Sequence, residues 1–192
     1  MHRRTPDGTL AAHPWVAEVE AVTLTLVSGW DLTVLGGALG IDWSTRGLAT
    51  FEEVAGQQDH ARGHFLVQVD EADGWLLVVE PNGHLCARPG TVAALSAGGT
   101  AVSVSWNVNA VQQFTLARAG VVVRCFDPVA YPTGGEQEQL AEELGLPFGD
   151  PDADPRPAML TVAERITGVR LDGYRLLGAE HRTWSATGPT PH

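Results

Sequence analysis

Apolar and polar positions alternate through the middle of the chain with the period of two that is typical of β-strands. The first two strand-like runs are separated by Glu71-Ala72-Asp73-Gly74, a turn-forming segment that predicts a hairpin. Short segments containing Asn, Ala and Gly separate the last three runs and predict turns as well. The predicted strands cover residues 65–70, 75–80, 101–106, 111–116 and 121–126.

Apolar positions recur every three or four residues on both sides of these strands, which predicts amphipathic helices. Residues 14–27 fit this pattern, although the run TLTLV within them also fits a strand. Asp31 is positioned to cap a helix that ends before Gly40, and Thr50 with Glu53 has the spacing of a capping box. Further helices are predicted at residues 89–97, 136–144 and 157–168.

This order of elements predicts an α+β fold with a mixed sheet of about five strands. Helices precede the sheet, one crossover helix lies within it, and helices follow it. Because the helix at residues 89–97 joins strands 75–80 and 101–106, these two strands are expected to run parallel in one sheet. We expect a single domain over residues 14–172, with a disordered leader at 1–13 and a loosely ordered tail at 173–192.

Composition and charge narrow the classes of partner. Apolar residues make up 44% of the 192 residues and charged residues 18%, which is typical of a globular protein. The 23 acidic residues outnumber the 12 basic ones and give a net charge of -11, which opposes binding to nucleic acid or to an anionic membrane. With no apolar run of about 18 residues and no signal peptide, we expect a cytoplasmic protein whose partner is a protein or a small molecule. The oligomeric state stays open.

The two cysteines, Cys86 and Cys125, lie in or beside apolar runs without the CxxC spacing. Two buried, reduced thiols are the expected arrangement in a cytoplasmic protein. One disulfide, or one thiol acting as a nucleophile, remains the alternative.

The predicted parallel strands place a group of polar side chains at one end of the sheet. The carboxyl ends of parallel strands share an edge, and clefts form there in sheets with helical crossovers. Glu80 and Asp127 are the candidate catalytic carboxylates at this edge. The candidate ligand-binding residues are His64, Asn82, Trp106, Asn107 and Asn109.

Each of these residues also has a structural interpretation. Asn82 precedes Gly83, and Asn107 and Asn109 flank a hairpin, so all three suit turns. Asp127 precedes Pro128 and can cap a turn in the same way. Glu80 ends an apolar strand and therefore needs a partner if it is buried. One candidate partner is a cation, supplied by Arg88 or Arg124. The other is a polar group in a functional cavity.

Metal and cofactor motifs are not found in the sequence. His60 and His64 have the spacing of a metal pair on a helix, but Gly63 lies between them and no third ligand follows at a suitable spacing. No nucleophile elbow, Walker motif or dinucleotide-binding glycine pattern is present. The sequence therefore predicts no metal and no cofactor.

Several short motifs give the chain a resemblance to a known group of proteins. They are Glu80-Pro81-Asn82-Gly83, Ser96-Ala97-Gly98-Gly99, Trp106-Asn107-Val108-Asn109-Ala110, Phe126-Asp127-Pro128 and Ile166-Thr167-Gly168-Val169-Arg170-Leu171. With these motifs, residues 14–172 resemble an uncharacterised bacterial family that is named only as a domain of unknown function. The resemblance implies no activity, substrate or catalytic residue.

Two hypotheses of function follow. The first is a non-catalytic binding or adaptor module, such as an immunity-type or accessory protein. It is favoured by the missing catalytic motifs, the acidic composition, and Trp30 and Trp43 at predicted loop boundaries. The alternative is a small-molecule enzyme that uses a carboxylate at the sheet edge as its general base.

Overall fold

The computed structural model describes residues 13–131 and 138–188, and these form one eight-stranded sheet with helices on both faces. The strand order is β2-β8-β3-β4-β1-β5-β6-β7, and every neighbouring pair is antiparallel. The strands are β1 Val22–Val27, β2 Ile41–Ala49, β3 Phe65–Ala72, β4 Trp75–Pro81, β5 Thr100–Trp106, β6 Gln112–Arg118, β7 Val121–Phe126 and β8 His181–Ala186. The α-helices are α1 Leu32–Leu39, α2 Phe51–Gln57, α3 Pro89–Leu95, α4 Arg156–Thr167 and α5 Gly173–Gly178.

The predicted five-stranded mixed sheet is therefore wrong. Strand β1 lies between β4 and β5 and pairs with both in antiparallel fashion. Strands β4 and β5 consequently run in the same direction, as the sequence predicted, but they are not neighbours. The hairpin of β3 and β4 is confirmed, with a turn at Asp73 and Gly74 that have φ angles of 50° and 83°.

Strand β1 occupies part of the segment that the sequence favours as a helix. All six of its side chains are buried, because both faces of the sheet are covered at this point. Thr23 and Thr25 face one side, while Leu24 and Leu26 face the other. The branched threonine side chains favour extended backbone. Only Pro14–Glu18, a short 3-10 helix, retains helical structure within the predicted segment.

The loosely ordered tail predicted after residue 172 is wrong for α5 and β8. Strand β8 lies inside the sheet and pairs with β2 on one side and β3 on the other. Trp43, which was expected in a loop, belongs to edge strand β2, where it packs against Trp184 with ring centroids 5.7 Å apart. A Cβ atom on Gly36 would lie 2.2 Å from the Trp43 ring, so a larger residue there would displace this indole.

Several helix boundaries are confirmed. The Asp31 side chain accepts a hydrogen bond from Val34 N at 2.9 Å, and Thr50 and Glu53 form the predicted capping box. The predicted helix at 136–144 is wrong over its described part, where Ala141–Glu143 forms a 3-10 helix. Its first two residues lie outside the described residues, as do residues 1–12 of the predicted leader, while His13 is described and buried.

Two hydrophobic layers cover the two faces of the sheet. One face packs against the Pro14–Glu18 segment and helices α2, α4 and α5, with Trp15, Phe114 and Met159 buried there. The other face packs against α1 and α3, where Leu35 and Leu95 are fully buried. None of the helices within 13–131 and 138–188 combines the length and the apolar character that a bilayer span needs.

A buried ion pair attaches the segment after β7 to the sheet. The Arg124 guanidinium donates to both carboxylate oxygens of Glu143 at 2.8 Å, and the two residues are each 1% exposed. The Tyr131 hydroxyl donates a hydrogen bond to the same carboxylate. The Arg124 guanidinium also lies 4.8 Å from the centre of the Phe126 ring. Arg124 therefore pairs with Glu143 and not with Glu80.

A second polar contact ties β8 to β3. His181 Nδ1 lies 2.5 Å from Asp70 Oδ2, and the imidazole is buried. The hydrogen bond to Asp70 raises the pKa of His181 above its ordinary value of 6.5, although burial opposes the shift. Burial is the largest single influence on the pKa of Asp70 and raises it, but the hydrogen bond from His181 and the positive charges nearby together outweigh burial and lower that pKa below 3.8. Arg175 on α5 and Arg182 on β8 are the other charges that act on this pair.

This pair should make stability depend on pH. The contribution of His181 is complete below pH 6.5 and is lost as the pH rises through its raised folded-state pKa, while that of Asp70 is lost only in acid. We expect His181→Gln to lower the free energy of unfolding by about 1.5–3 kcal/mol near pH 5.5 and by clearly less near pH 9. Urea unfolding of both proteins across this range measures the difference. If the difference in unfolding free energy between the two proteins were the same at every pH, a charged His181 paired with Asp70 would be ruled out as its cause.

Candidate functional site

The candidate site is the end of the sheet where β4 and β5 finish and β1 and β6 begin. Pro81, Val22, Trp106 and Gln112 lie side by side there in the strand register. We call this the upper end of the sheet. Because β4 and β5 run in the same direction, their carboxyl ends lie at this end of the sheet, with the start of β1 between them.

Polar side chains cross the sheet in two rows on the face that packs against α3. Residues directly opposite each other in neighbouring strands share a face. Thr23 lies opposite both Glu80 and Ser105, and Ser105 lies opposite Gln113. These four side chains form the upper row. The lower row is Thr25, Ser103, Thr115 and Cys125.

The upper row holds the loop between β4 and α3 against the sheet. Glu80 is fully buried, and its two carboxylate oxygens accept hydrogen bonds from Leu85 N at 2.7 Å and Cys86 N at 2.8 Å. The Thr23 hydroxyl donates to Gly83 O at 2.9 Å. A Cβ atom on Gly83 would lie 2.6 Å from Glu80 Cβ, so the loop can approach this closely only with glycine there.

Burial is the largest cause of the pKa shifts of the ionisable groups in and beneath this loop. Burial raises the pKa of Glu80, and the hydrogen bonds from Cys86 and Leu85 oppose the shift. Burial and the Glu80 carboxylate raise the pKa of Cys86 well above its ordinary value, so its thiol stays protonated and is a poor nucleophile. Burial, followed by the charges of His60 and Arg88, lowers the pKa of His84, which makes a neutral imidazole the main form at pH 7.

An open groove of about 500 Å³ lies at the upper end on the side of α2 and α5. Its floor is apolar and includes Val19 and Phe51. The charged residues that line it are all acidic, and each is exposed: Glu18, Glu20 and Glu52. We call this the acidic groove. The rest of its lining is Ala21, Ala55, Asn82, Val108 and Leu177.

A second cavity of about 330 Å³ lies on the opposite face, above the upper polar row. Arg88 and His84 come from the loop before α3, and Ser105 and Gln113 come from the sheet. We call this the polar cleft. The rest of its lining is Thr23, Gly83, Ala87, Pro89, Trp106, Asn107 and Val111. A third hollow of about 420 Å³ adjoins Glu20, Trp106 and Arg156.

Residues 12–188 match a family described as a family of unknown function, DUF6461. The chain belongs to this family. No curated protein and no solved structure matches the chain. The family assignment agrees with the resemblance drawn from the sequence motifs, and it assigns no activity to the two cavities.

Three of the predicted site residues line the cavities of this family member. Asn82 lines the acidic groove and has a φ angle of 51°, so it also fills the turn position that its sequence context suggests. Trp106 and Asn107 line the polar cleft. The Trp106 indole donates to Val19 O at 2.9 Å, and the Asn107 side chain accepts from Asn109 N and Val111 N.

The other predicted residues lie outside the acidic groove and the polar cleft. Asp127 accepts from Val129 N at 2.8 Å and caps a turn. Asn109 and His64 are exposed, and His64 pairs with Asp59 through backbone hydrogen bonds. Glu80 lies beneath the loop and does not line either cavity.

Sequence reasoning missed the residues that give the cavities their charge and polarity. Glu18, Glu20 and Glu52 lie in segments that the sequence predicts as helices and belong to no motif that marks a site. Ser105 could have been found from the alternation in VTLTLV and AVSVSW, which places hydroxyl groups at every second position of neighbouring strands.

The described residues around this site offer few groups that are suited to metal binding or to thiol chemistry. Within the described residues, no group of three or more His, Cys, Asp or Glu side chains is arranged to hold a metal ion. His60 and His84 approach each other, with ring centroids 4.9 Å apart, but no described residue joins them as a third ligand. Cys86 and Cys125 are not joined by a disulfide, and Cys86 is buried while Cys125 is partly buried.

Proposed function

We propose that this protein is a non-catalytic binding module whose acidic groove receives a positively charged segment of a protein partner. The observation that carries this proposal is the lining of the groove. Glu18, Glu20 and Glu52 surround an apolar floor that contains Val19 and Phe51, and none of the residues that line the groove within 13–131 and 138–188 is basic.

The charge pattern selects for a basic partner. Carboxylates on an exposed rim attract Lys and Arg side chains and raise the rate of encounter, and the net charge of -11 adds to this attraction at long range. An acidic or strongly hydrophobic ligand would leave these carboxylates unpaired or desolvated. The groove therefore favours a segment whose cationic groups face the rim.

The apolar floor gives the partner a second feature. A volume of about 500 Å³ accommodates one or two large side chains. Apolar area removed from water contributes about 25 cal/mol per Å², so an aliphatic or aromatic side chain on the floor would add more than an exposed ion pair. We propose a partner segment that combines Lys or Arg with at least one such side chain.

The alternative, an enzyme that uses Glu80 as its general base, finds no support in this arrangement. Both oxygens of Glu80 accept backbone N–H groups and its side chain is fully buried. A general base must reach the proton that it removes. Asp127, the other candidate carboxylate, is engaged in a turn.

Selection of random peptides displayed on phage tests the proposal. We expect the selected peptides to be enriched in Lys or Arg together with an apolar residue. Their affinity should fall at least about tenfold for the variant that combines Glu18→Gln, Glu20→Gln and Glu52→Gln, because the rim then loses its charge.

A variant with the same change of charge outside the groove serves as the control. Glu71, Glu142 and Glu180 lie outside the acidic groove, so their replacement by Gln should change affinity less than about threefold. Peptides without basic residues, or equal losses in the two triple variants, would rule out the groove as the binding site.

A further inference from the structure

We propose that the polar cleft is a second binding site and that it takes a small organic anion, a carboxylate or a phosphate ester. The cleft lies on the α3 face of the sheet, whereas the acidic groove lies on the α2 and α5 face. The two sites therefore differ in position and in charge. The inference rests on Arg88, Ser105 and the shape of the cleft, and it is independent of the function proposed for the groove.

Ser105 has a hydroxyl group that is left for a ligand. Its side chain is more than nine-tenths buried, at 8% exposure, and it lines the cleft. Among the described residues, it is the member of the upper row whose side chain forms no hydrogen bond. Thr23 donates to Gly83 O and Gln113 donates to Ala87 O. The Ser105 oxygen is not among the described side-chain atoms that are sealed from solvent without a partner, so it opens into the cleft and can bind a polar group that enters there.

Arg88 provides the positive charge of the cleft. Its side chain forms no ion pair and no hydrogen bond with any other described residue. Arg124 and Arg156, by contrast, both pair with carboxylates. A guanidinium has donors that match the geometry of a carboxylate or a phosphate, so an unpaired arginine at the mouth of a cleft is suited to bind either group.

The remaining lining favours an anion with an organic part. Among the residues that the structure describes, no acidic one lines the cleft. The Glu80 carboxylate beneath the loop interacts electrostatically with Arg88, but its two oxygens accept hydrogen bonds from Leu85 N and Cys86 N and form no ion pair with the guanidinium. His84 and Asn107 add polar groups, while Pro89 and Val111 give an apolar wall. At about 330 Å³, the cleft lies at the lower end of the range found for small-molecule sites.

Calorimetric titration with phenyl phosphate, benzoate and benzyl alcohol at low ionic strength tests this inference. We expect at least one of the two acids to bind saturably with a Kd of about 1 mM or below, and neutral benzyl alcohol to bind at least about tenfold more weakly. The comparison of the two acids shows whether phosphate or carboxylate is preferred. No saturable binding of either acid up to about 20 mM would overturn the inference.

Substitutions inside and outside the polar cleft test where the acids bind. Arg88→Gln should weaken binding of the preferred acid at least about tenfold, Arg88→Lys should weaken it less, and Ser105→Ala should weaken it about threefold or more. Arg118→Gln removes an exposed arginine outside the cleft and should change binding less than about twofold. Ser105→Ala should leave the melting temperature of the ligand-free protein nearly unchanged, because it breaks no hydrogen bond. Equal losses for Arg88→Gln and Arg118→Gln, or benzyl alcohol binding as well as the acids, would overturn the assignment.

Discussion

Replacement of Arg124 by Met is expected to lower the free energy of unfolding by about 3–5 kcal/mol. The guanidinium donates to both oxygens of Glu143, and both residues are buried. The substitution would leave the Glu143 carboxylate in a buried position with the Tyr131 hydroxyl and the backbone N–H of Leu140 as donors. Unfolding by guanidinium chloride, followed by tryptophan fluorescence, measures the change.

The double variant Arg124→Met with Glu143→Leu tests why Arg124→Met is destabilising. It shows whether the loss comes from leaving the buried Glu143 carboxylate without its counter-charge. Without either charge, the site has no carboxylate to desolvate, so we expect the double variant to recover at least half of the stability lost by Arg124→Met. Exposed Arg118→Met is the matched control and should change stability by less than about 0.5 kcal/mol. A double variant that is less stable than Arg124→Met would show that the pair contributes through its geometry and not through mutual neutralisation.

The strands from β3 to β7 could be predicted because their local sequence carries the necessary information. Each is an apolar or alternating run bounded by turn residues. Asp73 and Gly74, for example, adopt the positive φ angles that a tight hairpin turn requires. Helices α1 and α2 could be predicted for a similar reason, since the groups that cap them lie within a few residues of the helix start.

Three strands were missed because tertiary contacts decide their structure. Strand β1 is buried on both faces, so its apolar positions show no simple alternation and fit a helix equally well. Strand β2 is an exposed edge strand with a bulge and a glycine, and it lacks an apolar pattern. Strand β8 is short and partly polar, and its partners lie more than one hundred residues earlier in the chain.

The location of the candidate site could be predicted better than its chemistry. The sequence placed Asn82, Trp106 and Asn107 together because the segment between β4 and β5 is long enough for a crossover. In the structure, the two strands share a direction because both pair antiparallel with β1. The charges that surround the cavities come from elements that meet this end only in the folded chain. Glu18 and Glu20 belong to the segment before β1, and Glu52 belongs to α2.

Glu80→Gln is the second substitution with a large expected effect, a loss of about 2–4 kcal/mol in the free energy of unfolding. The sequence suggested that Glu80 has either a cation or a functional cavity as its partner. The structure gives a different partner, the backbone N–H groups of Leu85 and Cys86. A Gln side chain has one acceptor oxygen in place of two, so its NH₂ group would face one of these donors and leave it unsatisfied in a buried site.

The effect of Glu80→Gln should be concentrated in the loop before α3. Hydrogen exchange at the amides of Leu85 and Cys86 should accelerate more than exchange at the amides of β3, because these two groups lose the acceptor that protects them. Since Arg88 follows the same loop, binding of anions in the polar cleft should weaken as well. Glu71→Gln, on the exposed part of β3, is the control for the change of charge. If Glu80→Gln proved as stable as the unmodified protein, the carboxylate would not be what holds this loop, and Glu80 would again be a candidate for chemistry at the upper end of the sheet.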